Sequence, residues 1–508
     1  MPVDLARPDA VAGIVGAGVM GRGIAQVLLA AGVPVRLFDE RREAMADAVA
    51  FIGQMLDRAV ERGRMNAEGA AAAKARLTLA NGLADLAPCD VAIEAVIEEL
   101  AAKRALFAAL ESVVRDDAIL ATNTSSLSVT AIAAACQRPE RVAGFHFFNP
   151  VPVLKVVEVV GALRTAPWVG DQLAVLARRM GHEPVRTRDT PGFLVNHAGR
   201  GFGTEGLRIV AEGIASHADV DDVLREGGAG FAIGPFELYD VVGLDVSHVV
   251  MEEIYHQFYE EPRYRPQPET RTRRQAGMYG RKTGLGFYAY EGGRKVAPPP
   301  KPAPTRLPER VWIGPGEASA RAALARLVQG AAQLDTGARP DARSICLFAP
   351  LGEDATASAL AAGVEAERTL AVDTLFGLDG RRTLMTTPVT DPGLRDEAHA
   401  LLAHDGKPVT VIRDSPGFIA QRVVATIVNI GCDIAQARIA APEDIDKAVR
   451  LGLAYPKGPL AMGDAVGAGR ILAILEAMHA FYKDPRYRPS PWLTRRARLG
   501  VPLTMPEA

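Results

Sequence analysis

Apolar and polar positions alternate in regular blocks over residues 1–187. Short apolar runs of strand length are separated by longer segments with an apolar residue at every third or fourth position, as in amphipathic helices. After two runs that flank a first helical segment, strand-like runs follow at 76–80, 90–96, 118–122, 141–148 and 155–160. This alternation predicts a doubly wound α/β sheet.

The pattern changes after residue 187. Helical periodicity predominates over 188–295, and the prolines of 296–309 are typical of a semi-rigid exposed linker. Residues 310–412 mix strand-like and helical segments again but lack a glycine-rich turn, which favours a degenerate, cofactor-free relative of the first domain. A helical pattern returns over 413–508.

An internal repeat relates the two helical regions. Three motifs recur in the same order with a nearly constant offset: RDTPGF at 188–193 returns as RDSPGF at 413–418, DVVG at 240–243 as DAVG at 464–467, and PRYRP at 262–266 as PRYRP at 485–489. The helical domain is therefore interpreted as duplicated. We expect the second copy to pack on the first, with an independent surface domain as the alternative.

The most informative motif is the glycine-rich turn at 16–21, which follows an apolar strand and opens a helix. Gly16 permits the tight turn, Gly18 lets the backbone approach a pyrophosphate, and Gly21 lets the helix lie close to the strand. The helix N-terminus would face the phosphates. The motif predicts a Rossmann-type NAD-binding domain rather than a merely structural turn, and its predicted cofactor-binding residues are Gly16, Gly18, Val19, Met20, Gly21 and Asp39.

Asp39 decides the predicted cofactor. It ends the second strand, where its carboxylate would accept hydrogen bonds from the ribose hydroxyls and repel a 2′-phosphate. NAD is favoured over NADP, although Arg41 and Arg42 follow closely and weaken that preference.

Composition excludes several classes of protein. The chain has 508 residues, 48% of them hydrophobic, and a net charge of −2, so it shows no basic footprint for nucleic acid. No apolar run reaches the roughly 20 residues that span a membrane, and the N-terminus lacks the pattern of a signal peptide. The four cysteines show no metal-ligand spacing. We expect a cytoplasmic protein without a metal.

His146 is the first candidate for catalysis. It lies near the end of an apolar strand, and the C-terminal ends of such strands face the ligand crevice. A lone histidine among aromatic residues is usually a core residue. Glu158 on the next strand changes this interpretation, because a carboxylate beside the imidazole would orient it as a general base.

These features together resemble the L-3-hydroxyacyl-CoA dehydrogenase family. The matching motifs are GAGVMGRGIA at 16–25, AIEAV at 92–96, NTSS at 123–126, GFHFFNPVPVLKVVEVV at 144–160, DTPGFLVN at 189–196, GPFEL at 234–238, GLD at 243–245 and KTGLGFY at 282–288. The duplicated layout is similar to long bacterial members that oxidise 3-hydroxyadipyl-CoA or 3-hydroxybutyryl-CoA, as in phenylacetate catabolism. An acyl-CoA thioester is thus the expected substrate, and a homodimer is a possible assembly.

The resemblance also implies residue roles. His146 would be the general base and Glu158 its orienting partner, while Ser125 and Asn196 would hydrogen-bond the reacting oxygen. The residues that it places near the cofactor, besides the glycine-rich turn, are Glu98, Lys103, Ser125 and Lys282. The alternatives are a helix-capping role for Ser125, a first-turn helix acid for Glu98, and surface positions for the two lysines.

Arg200 is a separate hypothesis. Helical spacing after a predicted helix start at Pro191 puts Arg200 on one face with Asn196, where it would reach a distal carboxylate of the acyl chain. A solvated arginine is the competing interpretation.

The second copy departs from the family pattern. Gln421 stands where Asn196 would be, and residues 372–385 offer no equivalent of the His146–Glu158 pair. One active site per chain is therefore predicted. A dehydrogenase of a free hydroxy acid or sugar acid, and a non-catalytic NADH-binding protein, are the rival functions.

Overall fold

The computed structural model describes residues 3–296 and 302–507, so part of the predicted proline-rich linker lies outside the described residues. The strands are β1 Ala12–Val15, β2 Val35–Phe38, β3 Leu77–Leu79, β4 Val91–Glu94, β5 Ile119–Thr122, β6 Val142–Phe147, β7 Val156–Gly161, β8 Glu183–Arg188, β9 Ala289–Glu291, β10 Arg294–Val296, β11 Arg310–Ile313, β12 Gln333–Asp335, β13 Ser344–Phe348, β14 Thr369–Val372, β15 Arg382–Thr386 and β16 Val409–Ile412.

The helices of the N-terminal half are α1 Val19–Ala30, α2 Arg42–Glu61, α3 Ala67–Ala75, α4 Leu100–Val113, α5 Val129–Ala133, α6 Pro167–Arg179, α7 Val195–Ala198, α8 Arg200–Ala211, α9 His217–Glu226, α10 Pro235–Val242, α11 Leu244–Gln257 and α12 Pro268–Gln275. Those of the C-terminal half are α13 Ala318–Val328, α14 Ala355–Ala362, α15 Pro392–Ala403, α16 Ala420–Gln436, α17 Pro442–Leu453, α18 Pro459–Val466, α19 Ala468–Tyr482 and α20 Pro491–Leu499.

The described residues divide into two compact units. The first consists of residues 3–197 together with Arg438–Leu453, and the second of Ala198–Ala437 together with residues 454–507. These units do not follow the five segments expected from the sequence pattern, whose boundaries stay a prediction.

The first unit is built on an eight-stranded sheet of order β3-β2-β1-β4-β5-β6-β7-β8. Its neighbouring strands are parallel except for β6 and β7, which are antiparallel. Every residue of β1, β4, β5 and β6 is buried. Because side chains alternate across a strand, the apolar core forms two clusters, with Ile93 in one and Ala92 in the other. The predicted doubly wound sheet is confirmed.

The second unit combines a smaller sheet with the two helical copies. The sheet has the order β12-β11-β13-β14-β15-β16, and again one neighbouring pair, β14 and β15, is antiparallel. Helix α8 of the first copy packs against α16 of the second. A Cβ at Gly201 would lie 3.1 Å from Ile430 Cδ1 and 3.2 Å from Ile427 N, so this glycine allows a close helix approach. The copies therefore pack on each other, as expected.

One helix differs from its predicted form. A continuous helix from Pro191 was expected, but residues 191–194 form a turn, α7 begins at Val195, and Gly199 separates it from α8. The turn contains Phe193 at a φ of +47°, a conformation that non-glycine residues rarely adopt. This turn is incompatible with helix, which explains the later start.

Candidate active site

The glycine-rich turn has the geometry that its sequence predicts. Gly16 has a φ of +104°, and a Cβ there would lie 2.4 Å from Ala95 O. A Cβ at Gly21 would lie 1.7 Å from Gly16 O, so helix and strand touch at this point. At Gly18 a Cβ would meet no atom within 4 Å. As the N-cap residue of α1, this glycine has no side chain that could occupy the first amides of the helix. The first amides of α1, which include those of Val19 and Met20, thus form an open cradle that fits a pyrophosphate.

Asp39 is fixed beside this cradle. Its Oδ2 accepts a hydrogen bond from Ala17 N at 2.8 Å, and its Oδ1 accepts from Arg41 N at 2.9 Å. Each carboxylate oxygen keeps a further lone pair. The geometry therefore fits ribose hydroxyls as donors, and the assignment of Asp39 to cofactor binding stays a prediction.

Glu98 holds the loop that follows β5. Its Oε1 accepts hydrogen bonds from Thr124 Oγ1 at 2.6 Å, Ser125 N at 2.8 Å and Ser126 N at 3.0 Å. Burial raises the pKa of Glu98, but the positive charge of Lys103 and these hydrogen bonds outweigh burial and leave the pKa below its ordinary value. An ionised Glu98 thereby fixes the position of Ser125.

Lys103 lies inside the unit, with its side chain 1% exposed. Its Nζ is 2.5 Å from Glu94 Oε1 and 3.2 Å from Glu98 Oε2. The geometry supports a role in holding Glu98, and direct contact between Lys103 and the cofactor stays a prediction. Sequence reasoning missed Glu94, a fully buried carboxylate at the end of β4. Its signal was an acid in an otherwise apolar strand.

His146, Glu158 and Ser125 meet at the C-terminal end of β6. His146 lies directly opposite Glu158 in the antiparallel pair, and its Nδ1 is 2.5 Å from Glu158 Oε2. Its Nε2 is 3.0 Å from Ser125 Oγ. The ring packs edge-on against Phe148 and Phe193, with centroids at 4.5 and 5.7 Å. The structure thus brings together the three residues that the sequence selected.

The partners of Glu158 determine its charge and the histidine tautomer. Its Oε1 accepts from Leu194 N at 2.9 Å and from Val195 N at 2.8 Å, in addition to the bond to His146. Two backbone donors on one oxygen favour the ionised carboxylate, which can only accept the hydrogen bond that it shares with His146. The proton on the neutral imidazole is therefore on Nδ1, which leaves Nε2 as the base.

Asn196 follows directly in the chain. It is half-buried in the first turn of α7, next to the amides of Leu194 and Val195 that hold Glu158. The chain path places it beside the His146 cluster, and its contact with the reacting oxygen stays a prediction. Asn123 was not predicted as a site residue: its Oδ1 accepts from Phe147 N at 2.8 Å and so fixes the end of β6.

The remaining two predicted residues belong to the second unit. Lys282 Nζ is 2.7 Å from Asp245 Oδ2. Arg200 is half-buried at the start of α8. Burial holds its pKa below the ordinary value, although Tyr239 and Tyr455 act in the opposite direction. Contacts of Lys282 with the cofactor and of Arg200 with the substrate stay predictions.

A buried imidazole–carboxylate pair on a sheet that also carries a dinucleotide cradle is typical of an NAD-dependent dehydrogenase that acts on an alcohol carbon. Profile comparison agrees: the NAD-binding domain of 3-hydroxyacyl-CoA dehydrogenase matches residues 11–190, and its C-terminal domain matches twice, at 192–290 and 417–502. The chain belongs to the 3-hydroxyacyl-CoA dehydrogenase family. The second match also supports the duplication.

Individual relatives cover the chain to different extents. The 3-hydroxyadipyl-CoA dehydrogenase of Escherichia coli (strain K12) is 37% identical over 489 residues, which is 96% of this chain and 97% of that protein. A probable 3-hydroxybutyryl-CoA dehydrogenase of Bacillus subtilis (strain 168) is 38% identical over 278 residues, 55% of this chain and 96% of that protein.

A solved structure agrees over the same extent. The crystal structure of 3-hydroxybutyryl-CoA dehydrogenase from Escherichia coli K12 matches with a TM-score of 0.84 and 36% identity, over 97% of this chain and 98% of that one. In the described residues, no helix is both long and apolar enough to cross a membrane.

Proposed function

We propose that this chain oxidises the 3-hydroxyl of a short-chain (S)-3-hydroxyacyl-CoA to the 3-oxoacyl-CoA, with NAD as cofactor. The observation that carries this proposal is the His146 geometry. Nδ1 is bonded to Glu158 at 2.5 Å, while Nε2 lies 3.0 Å from Ser125 Oγ at the sheet end. This is the arrangement that removal of a proton from an alcohol requires.

In the oxidation, His146 Nε2 accepts the hydroxyl proton as the carbon–hydrogen bond breaks. Glu158 stabilises the imidazolium that forms, because it is an ionised acceptor already bonded to Nδ1. In the reverse direction the same Nε2–H returns its proton to the carbonyl oxygen. The imidazole thus carries one proton per turnover.

Ser125 and Asn196 orient the reacting oxygen. A hydroxyl 3.0 Å from His146 Nε2 lies within reach of the same oxygen atom as the base. Together with the Asn196 amide, it would stabilise negative charge that develops on that oxygen. Glu98 contributes indirectly, since it holds the Ser125 backbone.

Bound NAD supplies the acceptor for the hydride that leaves the substrate carbon. The cradle at Gly16–Gly21 and the carboxylate of Asp39 would hold its pyrophosphate and ribose, in keeping with the open backbone at Gly18. We also propose a cytoplasmic location, since all four cysteines are free.

The acyl chain is the finer part of the proposal. Relatives are named for 3-hydroxyadipyl-CoA and for 3-hydroxybutyryl-CoA, whose acyl chains differ in length and in the distal carboxylate that only the longer one carries. We propose that Arg200 favours the dicarboxylyl chain. Replacing Arg200 by leucine should then reduce turnover of 3-oxoadipyl-CoA more than that of acetoacetyl-CoA, and equal losses would refute this role.

The activity is tested by following NADH absorbance with acetoacetyl-CoA, with 3-oxoadipyl-CoA and with free acetoacetate as control. NADH oxidation with the thioesters alone is expected. Turnover of free acetoacetate would favour the hydroxy-acid dehydrogenase, and NADH binding without turnover of any substrate would favour a non-catalytic protein.

A further inference from the structure

Helix α17 connects the two halves of the chain in an unexpected way. By sequence it lies within the second helical copy, at 413–508, yet it belongs to the first compact unit and packs on β7 and β8. The chain enters and leaves this segment at Arg438 and Ala454, whose φ angles are +52° and +54°. Such left-handed non-glycine residues mark sharp changes in direction.

Several contacts fix α17 on the first sheet. Arg188 N donates to Ile439 O at 3.0 Å, which ties the end of β8 to the segment before α17. Lys447 Nζ lies 2.8 Å from Glu183 Oε1 at the start of β8. The apolar face of the helix is fully buried and consists of Ile445, Ala448 and Val449.

The last turn of α17 reaches the active-site framework. A Cβ at Gly452 would lie 2.8 Å from Val195 Cγ1 and 3.5 Å from Val156 Cγ1. The first distance is shorter than carbon atoms tolerate, and the valine side chain is stiff about χ1. Only glycine therefore fits here without moving Val195.

Val195 is linked to catalysis through its backbone. Its N–H donates to Glu158 Oε1 at 2.8 Å, and Glu158 in turn accepts from His146 Nδ1. The next residue is Asn196. A shift of Val195 would therefore move the carboxylate that orients the base and the amide expected at the reacting oxygen.

The second sheet has the reciprocal arrangement. There Arg413 N donates to Ile214 O at 3.1 Å, and a Cβ at Gly227 would lie 3.4 Å from Arg381 O. These residues stand in the repeat where Arg188, Ile439, Gly452 and Val156 stand in the first unit. The C-terminal end of α9 thus meets the second sheet, where Arg381 N donates to Glu226 O at 2.9 Å, as α17 meets the first.

We propose that α17 is a positioning element of the active site and that Gly452 is the positioning residue through which it acts. This inference rests on the proposed function. Helix α17 holds Val195 at the distance that keeps Glu158 on His146 Nδ1. The second half of the chain, which lacks a catalytic pair, thus supplies a part that the first half needs.

The test is the Gly452→Ala substitution. Alanine is the better helix former, so propensity alone predicts no loss. We expect kcat with acetoacetyl-CoA to fall by about ten- to a hundredfold through misplacement of the base, with a KM for NADH within about twofold of the unchanged enzyme. The pH midpoint of kcat should shift, and so should the NMR titration of His146, which is assigned by its loss in His146→Asn.

A second substitution checks the path of the effect. Adding Val195→Ala to Gly452→Ala makes room for the new Cβ and should restore kcat and the His146 titration. The matched control is Gly469→Ala in α19, where a Cβ meets no atom within 4 Å, and it should change neither. Unchanged kcat and titration in Gly452→Ala, or a double variant no better than the single one, would overturn the proposal.

Two precautions keep the outcomes separable. If Gly452→Ala does not fold, the double variant carries the test: kcat near that of the unchanged enzyme supports the proposal, and a large loss overturns it. Turnover by the unchanged enzyme decides the proposed function beforehand, while the His146 titration decides the placement of the base without any substrate.

Discussion

The two sheets end in the same backbone arrangement but carry different side chains. In the first sheet Gly144, two residues before His146, pairs with the last residue of β5. In the second sheet Ala371, two residues before Asp373, pairs with the last residue of β13. Asp373 therefore stands where His146 stands.

The surrounding side chains differ in the same sense. Asp373 N donates to Thr383 O at 3.1 Å, so a threonine occupies the place of Glu158. Gln421, which replaces Asn196, donates from Nε2 to Asp373 Oδ1 at 3.0 Å and accepts at Oε1 from Gly352 N at 2.8 Å. At the second sheet end, Gln421 is therefore hydrogen-bonded both to the Asp373 side chain and to the backbone.

What the two regions share is the support of the backbone. Asp189 accepts from Val129 N and Thr130 N at 3.1 and 2.7 Å, and Asp414 accepts from Ala355 N and Thr356 N at 2.9 and 3.3 Å. The capping aspartate and the single antiparallel strand pair persist, while the His146–Glu158 pair does not. We infer that the shared residues maintain the scaffold and that the residues proposed for chemistry are those that differ.

The largest expected effect concerns Glu158 against its counterpart Thr383. In Glu158→Gln the amide oxygen would accept from the N–H groups of Leu194 and Val195, which leaves the NH₂ facing His146 Nδ1. The NH₂ cannot accept a hydrogen bond, so the tautomer with its proton on Nε2 is favoured. We expect kcat to fall about 10³- to 10⁴-fold, by analogy with the loss of an orienting carboxylate in hydrolases. Thr383→Val is the matched control and should stay within about twofold. A loss below about tenfold in Glu158→Gln would contradict the comparison.

The next effect concerns stability. Lys103 of α4 is buried with Glu94, and β4, which carries Glu94, has no counterpart in the six-stranded sheet. Lys103→Met leaves a buried carboxylate without its cation, at a cost of about 3–5 kcal/mol. Thermal unfolding should show a clear loss in Tm. Lys447→Met, which removes a partly exposed pair with Glu183, should cost at most about 1 kcal/mol. Equal losses of stability in the two variants would refute the view that Lys103 compensates a buried carboxylate.

The smallest effect concerns Asp373. Burial raises its pKa above the ordinary value of 3.8, although hydrogen bonds from Gln421 and Leu375 oppose this. The folded state therefore holds this proton more tightly than the unfolded state, and stability is lost as the pH rises through the folded pKa. Asp373→Asn does not titrate, so its Tm relative to the unchanged protein should increase as the pH rises above about 4, by about 2–4 °C for each kcal/mol that the unchanged protein loses. A constant or decreasing difference would show that the charge is not penalised.

Sequence reasoning recovered those parts that depend on local pattern. The glycine turn, the strand of His146 and the strand of Glu158 could be recognised because strand periodicity and strand order constrain them. The direct opposition of His146 and Glu158 depends on the register of an antiparallel pair, which followed from the structure alone.

Other features depend on contacts distant in the chain. Burial of Lys103 could not be inferred, since a lysine in an amphipathic helix is usually on the solvent face. The position of α17 in the first unit was also missed, because its amphipathic pattern indicates that it packs but not on what. The turn at Phe193 interrupts a helical pattern through a backbone angle that its residue type does not announce.

The central claim is that each chain has one active site, at the end of the first sheet. Its most direct test compares His146→Asn with Asp373→Asn in NADH oxidation by acetoacetyl-CoA, with NADH affinity measured alongside. We expect a fall in kcat of about 10²- to 10⁴-fold for His146→Asn, at nearly unchanged NADH affinity, and a change below about twofold for Asp373→Asn. Turnover that survives His146→Asn, or that is lost with Asp373→Asn, would contradict it.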